Sequence, residues 1–197
     1  MLLLQLLLML ILIIGVIIAV AYLWESKEMK KPDRIIYYAS NLGQTGPEVA
    51  KLVQKYILDN HQKTEDYTLY EPGAGLGHMA RYLARAYTWK NVEAVDIGSI
   101  ILWLGKFWHR LLAPKLKVDF ILADVISYSA DRPTVIYGYL SASILTKMYQ
   151  KEKMKNALVI TLTFPIQGVE PTEIIELKNW QSPLRVYDFR TKTKIKD

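Results

Sequence analysis

The chain has 197 residues, a net charge of +6, a hydrophobic share of 51% and no cysteine. Without cysteine there is no disulfide framework, no thiolate zinc site and no cysteine nucleophile, which leaves a cytoplasm-like compartment permitted. The length holds one domain of ordinary size, and the scattered basic residues suit an anionic membrane surface better than nucleic acid.

From Leu2 to Trp24 there is one polar side chain, Gln5, and no charge. A helix through this run is about 34 Å long, enough to cross a bilayer with some tilt. Ala19-Val20-Ala21 offers the small-x-small pattern of a cleaved signal peptide, but a basic leading region is missing and the apolar run is long, so a retained anchor is expected. Tyr22 and Trp24 fall where aromatic rings favour the interface, and Lys27, Lys30, Lys31 and Arg34 follow directly. This order predicts a single-pass membrane protein with its domain on the cytoplasmic, or mitochondrial matrix, side. The expected organisation is an anchor over residues 1–24, a juxtamembrane linker over 25–44 and a folded domain over 45–197.

Thr45-Gly46-Pro47-Glu48 reads as a helix start, with Thr45 as N-cap and apolar residues at helical spacing from Val49 to Ile57. It predicts a helix from about Pro47 to Leu58. From Asp66 onward, short β-prone runs alternate with helical stretches, the mark of parallel strands joined by crossover helices. The predicted strands are 67–70, 92–95, 118–122, 134–139 and 158–163. Helices are predicted over 78–87, 99–112 and 142–153. The 99–112 helix carries more large apolar residues than one buried face requires, and a thick core is weighed evenly against a membrane or partner contact. After Thr163, residues 174–177 and 185–189 suggest a terminal hairpin at the sheet edge. Thr191 to Asp197 is either a solvated edge strand or a basic tail.

The chemistry concentrates in Glu71-Pro72-Gly73-Ala74-Gly75-Leu76-Gly77, which follows a strand and opens a helix. Glycine serves where φ is positive or where a ligand nears the backbone too closely for a Cβ. A dinucleotide turn has the spacing G-x-G-x-x-G, whereas this loop has G-x-G-x-G, and no Gly-Lys-Ser/Thr follows to make a phosphate loop. Glu71 repels pyrophosphate and attracts an ammonium group, which points to S-adenosylmethionine (SAM), a ligand carrying an ammonium and a sulfonium. Asp96 ends the second strand about twenty residues after the loop, where an acid accepts hydrogen bonds from ribose hydroxyls; a helix N-cap is its alternative role. Asp124, after the third strand, either accepts a bond from the adenine amine or forms a turn. His61, His78 and His109 share no ligand spacing, so no metal site is expected.

Glu71-x-Gly73-x-Gly75-x-Gly77 after a first strand, Asp96 after the second and Asp124 after the third resemble the successive motifs of class I SAM-dependent methyltransferases. The resemblance implies a Rossmann-like α/β fold with a mostly parallel sheet and helices on both faces. The membrane segment, the Pro-containing helix before the loop, Val135-Ile136-Tyr137-Gly138, Thr163-Phe164-Pro165 and Val186-Tyr187-Asp188 further resemble the small membrane-anchored protein-lysine methyltransferases. These include the enzymes that modify the ATP synthase c subunit and the adenine nucleotide translocase. In that family the second-strand acid is usually glutamate and the loop usually begins with aspartate, and this chain differs at both places. The predicted SAM-binding set is Thr45, Glu71, Gly73, Ala74, Gly75, Gly77, Asp96, Ile97, Asp124 and Val125. No catalytic residue is assigned, and Tyr139 is the candidate wall of an acceptor channel. The expected acceptor is a lysine of a membrane-associated protein; a lipid or small-molecule acceptor and a non-catalytic Rossmann-like module are the alternatives.

Overall fold

In the computed structural model, residues 42–177 and 182–190 are described, together with Gln5, Met9, Leu12, Gly15 and Val16, which are helical and exposed. The rest of the expected anchor, the basic cluster behind it and the tail from Thr191 lie outside the described residues. Among the described residues no helix is long and apolar enough to cross a membrane. The chain divides into two compact units, Met1–Ile36 and Tyr37–Asp197.

The second unit opens with α1 (Leu42–Val53), which starts three residues before the expected Thr45 cap. Thr45 is inside this helix and fully buried, so it does not cap it. Pro47 removes the amide that would reach back to Gly43, a loss a helix tolerates near its start. The helix continues as a wider turn over Gln54–Leu58, with the Asp59 amide donating to the Gln54 carbonyl at 2.9 Å. Then follow β1 (Thr68–Pro72), α2 (His78–Ala86), β2 (Asn91–Asp96), α3 (Ser99–Leu112), β3 (Asp119–Leu122), β4 (Thr134–Gly138), α4 (Ala142–Gln150), β5 (Ala157–Leu162), β6 (Glu173–Ile175) and β7 (Leu184–Asp188). The predicted strands and helices all form: the helix predicted from Pro47 begins five residues earlier, at Leu42, and the other ends agree within three residues.

The seven strands lie in the order β3-β2-β1-β4-β5-β7-β6. β1 to β5 are parallel, and β7 runs antiparallel between β5 and β6, so the expected terminal hairpin closes one edge. The direction of winding reverses between β1 and β4, and such a switch point opens a crevice at the carboxyl ends of the strands.

Alternation along the strands divides the core in two. Leu69, Val92, Ala94, Val135, Tyr137, Leu158, Ile160, Leu184 and Val186 join one cluster with Val49, Val53, Met79 and Leu83 of α1 and α2. Tyr70, Val95, Ile136, Val159 and Tyr187 join the other, with Leu145 and Met148 of α4. At the far edge, Arg190 donates to Asp188 Oδ2 at 2.7 Å and to the Tyr56 carbonyl at 3.0 Å, tying the end of β7 to the wide turn of α1.

Leu83 is fully buried whereas Ile174 on β6 is 53% exposed. Leu83→Ala is therefore expected to lower the unfolding free energy by about 2–5 kcal/mol. Ile174→Ala should change it by less than about 0.5 kcal/mol. Urea denaturation followed by circular dichroism measures both.

Candidate functional site

The glycine loop leaves β1 beside the switch point and enters α2 at Gly77. Gly73, Gly75 and Gly77 have φ of 69°, 53° and 68°, a region that side chains disfavour. At Gly77 a Cβ would also stand 2.7 Å from the Phe120 ring, so the turn accepts no side chain there without displacing that ring.

The loop is fastened to the end of β2. The amides of Gly73 and Ala74 both donate to the Val95 carbonyl, at 2.8 and 3.0 Å. The Gly75 amide donates to Asp96 Oδ2 at 2.7 Å, while Asp96 Oδ1 accepts from the Gly98 amide at 2.8 Å. Asp96 thereby orders both the loop and the approach to α3, whose N-cap residue is Gly98 rather than Asp96. Ile97, next to it, is 41% exposed.

Glu71 sits beneath the loop. Its Oε2 accepts from the Ala80 amide at 2.8 Å, so the carboxyl caps the first turn of α2, where amides lack helical partners. Burial pushes its pKa up to about 8, the negative charge of Asp96 acts in the same direction, and the Ala80 and Met79 amides and Arg81 oppose it.

At the end of β3 the Asp124 carboxylate accepts from the Ile126 amide at 3.0 Å, and its carbonyl accepts from the Ser127 and Tyr128 amides at 3.0 and 2.9 Å. The turn-forming role is thus realised. Asp124 is exposed and Val125 buried. Thr45 lies on α1, which packs on α2 in the same core cluster.

Three further residues shape the site. Arg81 is buried on α2, and its Nη1 donates to the carbonyls of Leu76 at 2.7 Å and Gly105 at 3.4 Å, bridging the loop to α3. Gly105 lets α3 approach, since a Cβ there would fall 2.9 Å from the Leu76 carbonyl oxygen. A glycine in the middle of a helical pattern signals such an approach, whereas nothing in the local pattern marks Arg81.

The third is Thr163, at the carboxyl end of β5, with φ of 69°. The Phe164 amide donates across it to the Leu162 carbonyl at 2.8 Å, a tight γ-turn that is strained for a β-branched residue. Arg185 donates to the Thr163 carbonyl and helps hold it. The turn stacks Phe164 on Tyr139, with ring centroids 6.2 Å apart, beside the end of β4. Among the described residues, no group of three His, Asp or Glu is placed to hold a metal ion.

No protein-family model and no curated protein matches the chain. Solved structures do. An RNA methyltransferase from Salinibacter ruber in complex with S-adenosyl-L-homocysteine superposes with a TM-score of 0.60 at 14% identity, over 80% of this chain and 95% of that one. A SAM-dependent methyltransferase from Aquifex aeolicus gives 0.54 at 14% identity, over 81% and 96%. Magnesium protoporphyrin IX methyltransferase from Synechocystis with bound SAM gives 0.51 at 10% identity, over 77% and 85%. The chain has the Rossmann-like α/β fold of the SAM-dependent methyltransferases.

The buried Glu71 carries a pH signature. Because its folded pKa lies above the ordinary carboxyl value of 4.5, the folded state holds a proton that the unfolded chain releases. The associated stability is present below about pH 4.5 and is lost as pH rises through about 8. Glu71→Gln keeps an acceptor for the Ala80 amide and removes this titration. The stability of the wild type relative to this variant should fall between about pH 5 and pH 8.5, as read from urea midpoints.

Proposed function

We propose that the chain is a SAM-dependent methyltransferase, held at a membrane by its apolar N-terminal run, that methylates a lysine of a membrane-associated protein. The observation that carries the cofactor reading is the loop itself. Three positive-φ glycines stand at the switch point, and Asp96 at the next strand end clamps the central one. The fit is chemical as well as steric. A Cβ at Gly73 would fall 2.5 Å from Leu140, so the chain passes close to the start of the β4 to α4 connection, and α2 turns its amino-terminal end toward the loop. Asp96 stands at the carboxyl end of β2, where an acid accepts from ribose hydroxyls.

In this reading Gly73, Ala74, Gly75 and Gly77 form the floor of the cofactor site, Asp96 binds the ribose, and Ile97 and Val125 flank the adenine beside Asp124. Glu71 acts through the loop it supports, because its carboxyl is turned onto α2 and buried. Thr45 closes the site from α1. The bound cofactor supplies a methyl group on a sulfonium, and the rest of the reaction is alignment and exclusion of water.

The stacked Tyr139 and Phe164, fixed by the strained turn at Thr163, form an aromatic wall at the carboxyl ends of β4 and β5. Such a wall suits an aliphatic stem and desolvates the amine at its tip, which favours the neutral, nucleophilic form of a lysine. The anchor reading and the resemblance of Thr163-Phe164-Pro165 to the membrane-anchored lysine methyltransferases support the choice of acceptor.

Calorimetric titration of the full chain with SAM should show one site. Gly75→Arg should abolish binding and Asp96→Ala should weaken it at least ten-fold; no heat from a folded wild-type chain would sink the cofactor reading. Incubating membranes with the enzyme and methyl-labelled SAM then reports the acceptor. Label in acid-stable methyl-lysine is the expected result, and label confined to lipid or RNA would overturn the lysine assignment.

A further inference from the structure

Helix α3 has three distinct longitudinal zones. Leu102, Gly105 and His109 form a narrow buried stripe against the loop and β3. Ser99, Lys106 and Arg110, all exposed, form a polar edge. Spacings of three and four residues place Ile100, Leu104, Trp108 and Leu112 on one row and Trp103, Phe107 and Leu111 on the next, and together they span about half the circumference.

This third zone faces outward. Trp103 is 59% exposed, Phe107 49%, Trp108 43%, Leu111 61% and Leu112 63%. The Trp103 and Phe107 rings stack at 6.0 Å, and Trp108 meets Phe107 edge-on at 5.8 Å, giving a continuous aromatic surface. A water-facing surface of this kind marks a contact.

Charge identifies the occupant. From Ser99 to Val118 there are four full positive charges, Lys106, Arg110, Lys115 and Lys117, and no acidic residue. Tryptophan, phenylalanine and leucine on one arc with lysine and arginine along its edge is the pattern of a helix lying in the plane of a membrane interface. Its rings sit among the headgroups, and its basic groups meet anionic phosphates.

We infer that the outer arc of α3 lies in the interfacial layer of an anionic lipid membrane. The inference rests on residues 99–118 and is independent of the N-terminal run. It has a consequence for the site: α3 presses on the glycine loop through Gly105, so the membrane surface lies about one helix diameter, roughly 10 Å, from Leu76. An acceptor residue at the bilayer surface is then within reach of the carboxyl edge of the sheet.

The chain contains no cysteine, so single-site labelling needs no background removal. Full-length protein carrying Leu111→Cys with an environment-sensitive fluorophore is reconstituted in phosphatidylcholine vesicles with about a third phosphatidylglycerol. A Lys151→Cys label, just beyond α4, serves as the exposed reference, and far-ultraviolet circular dichroism confirms that each variant is folded. The Leu111 label should be quenched at least two-fold by brominated acyl chains while the Lys151 label is not. Adding Lys106→Glu and Arg110→Glu should remove more than half of that quenching.

A Leu111 label that stays unquenched overturns the proposal, whether it remains in water or is shielded by a second copy or by the chain's own N-terminal run. Alkaline carbonate extraction reads the anchor separately. Protein that resists extraction with an unquenched Leu111 label sinks the α3 contact and keeps the anchor. Protein that is quenched before extraction and then washes off sinks the anchor and keeps the α3 contact.

Discussion

The site depends on one carboxylate. Three glycines in the left-handed region make a loop with much conformational freedom to lose, and left to itself such a segment samples many shapes. Asp96 selects one of them by accepting the central amide, Gly75, on one oxygen and the amide that leads into α3, Gly98, on the other. The Val95 carbonyl next to it takes the amides of Gly73 and Ala74. The end of β2 therefore dictates the path of the loop after β1, and through it the direction in which α2 departs.

That dependence explains which features were legible in the sequence. The strands declared themselves as short unbroken apolar runs, because Leu69, Val92, Val135 and Leu158 on one face and Tyr70, Val95, Ile136 and Val159 on the other are buried on both sides of a parallel sheet. The loop declared itself by composition, since glycine at three positions out of five has few explanations other than positive φ. Asp96 was legible as a strand-end acid, although its bond to Gly75 joins residues 21 positions apart and leaves no local trace. The same holds for Arg81: an arginine among His78, Met79 and Ala80 looks like the solvated face of a helix until the fold brings Leu76 and Gly105 to its guanidinium.

Two positions show how neighbours redirect a residue. Thr45-Gly46-Pro47-Glu48 has the chemistry of a cap, yet the helix begins at Leu42, because burial of Thr45 against the core outweighs the capping signal. Glu71, as a strand-end acid, reads in the sequence as a charge that attracts an ammonium group. Its burial and its bond to the Ala80 amide make it first a support for α2, and desolvation holds a proton on it over a range in which a surface glutamate has none. Propensity and charge counting describe a residue before its neighbours arrive, and at both positions the neighbours decide.

The same dependence on neighbours explains the composition of α3, whose surplus of large apolar residues suits a core and a contact equally by sequence. To carry the Leu76 backbone against its own, the helix needs a residue without a side chain at the point of approach, and Gly105 supplies it. A helix pressed this close to a loop can cover only a narrow stripe, here Leu102, Gly105 and His109. Whatever bulk the sequence places on the remaining turns has no core left to enter. Trp103, Phe107, Trp108, Leu111 and Leu112 are thus turned outward by the geometry that shapes the glycine loop, and one close approach accounts for both the inner and the outer face of the helix.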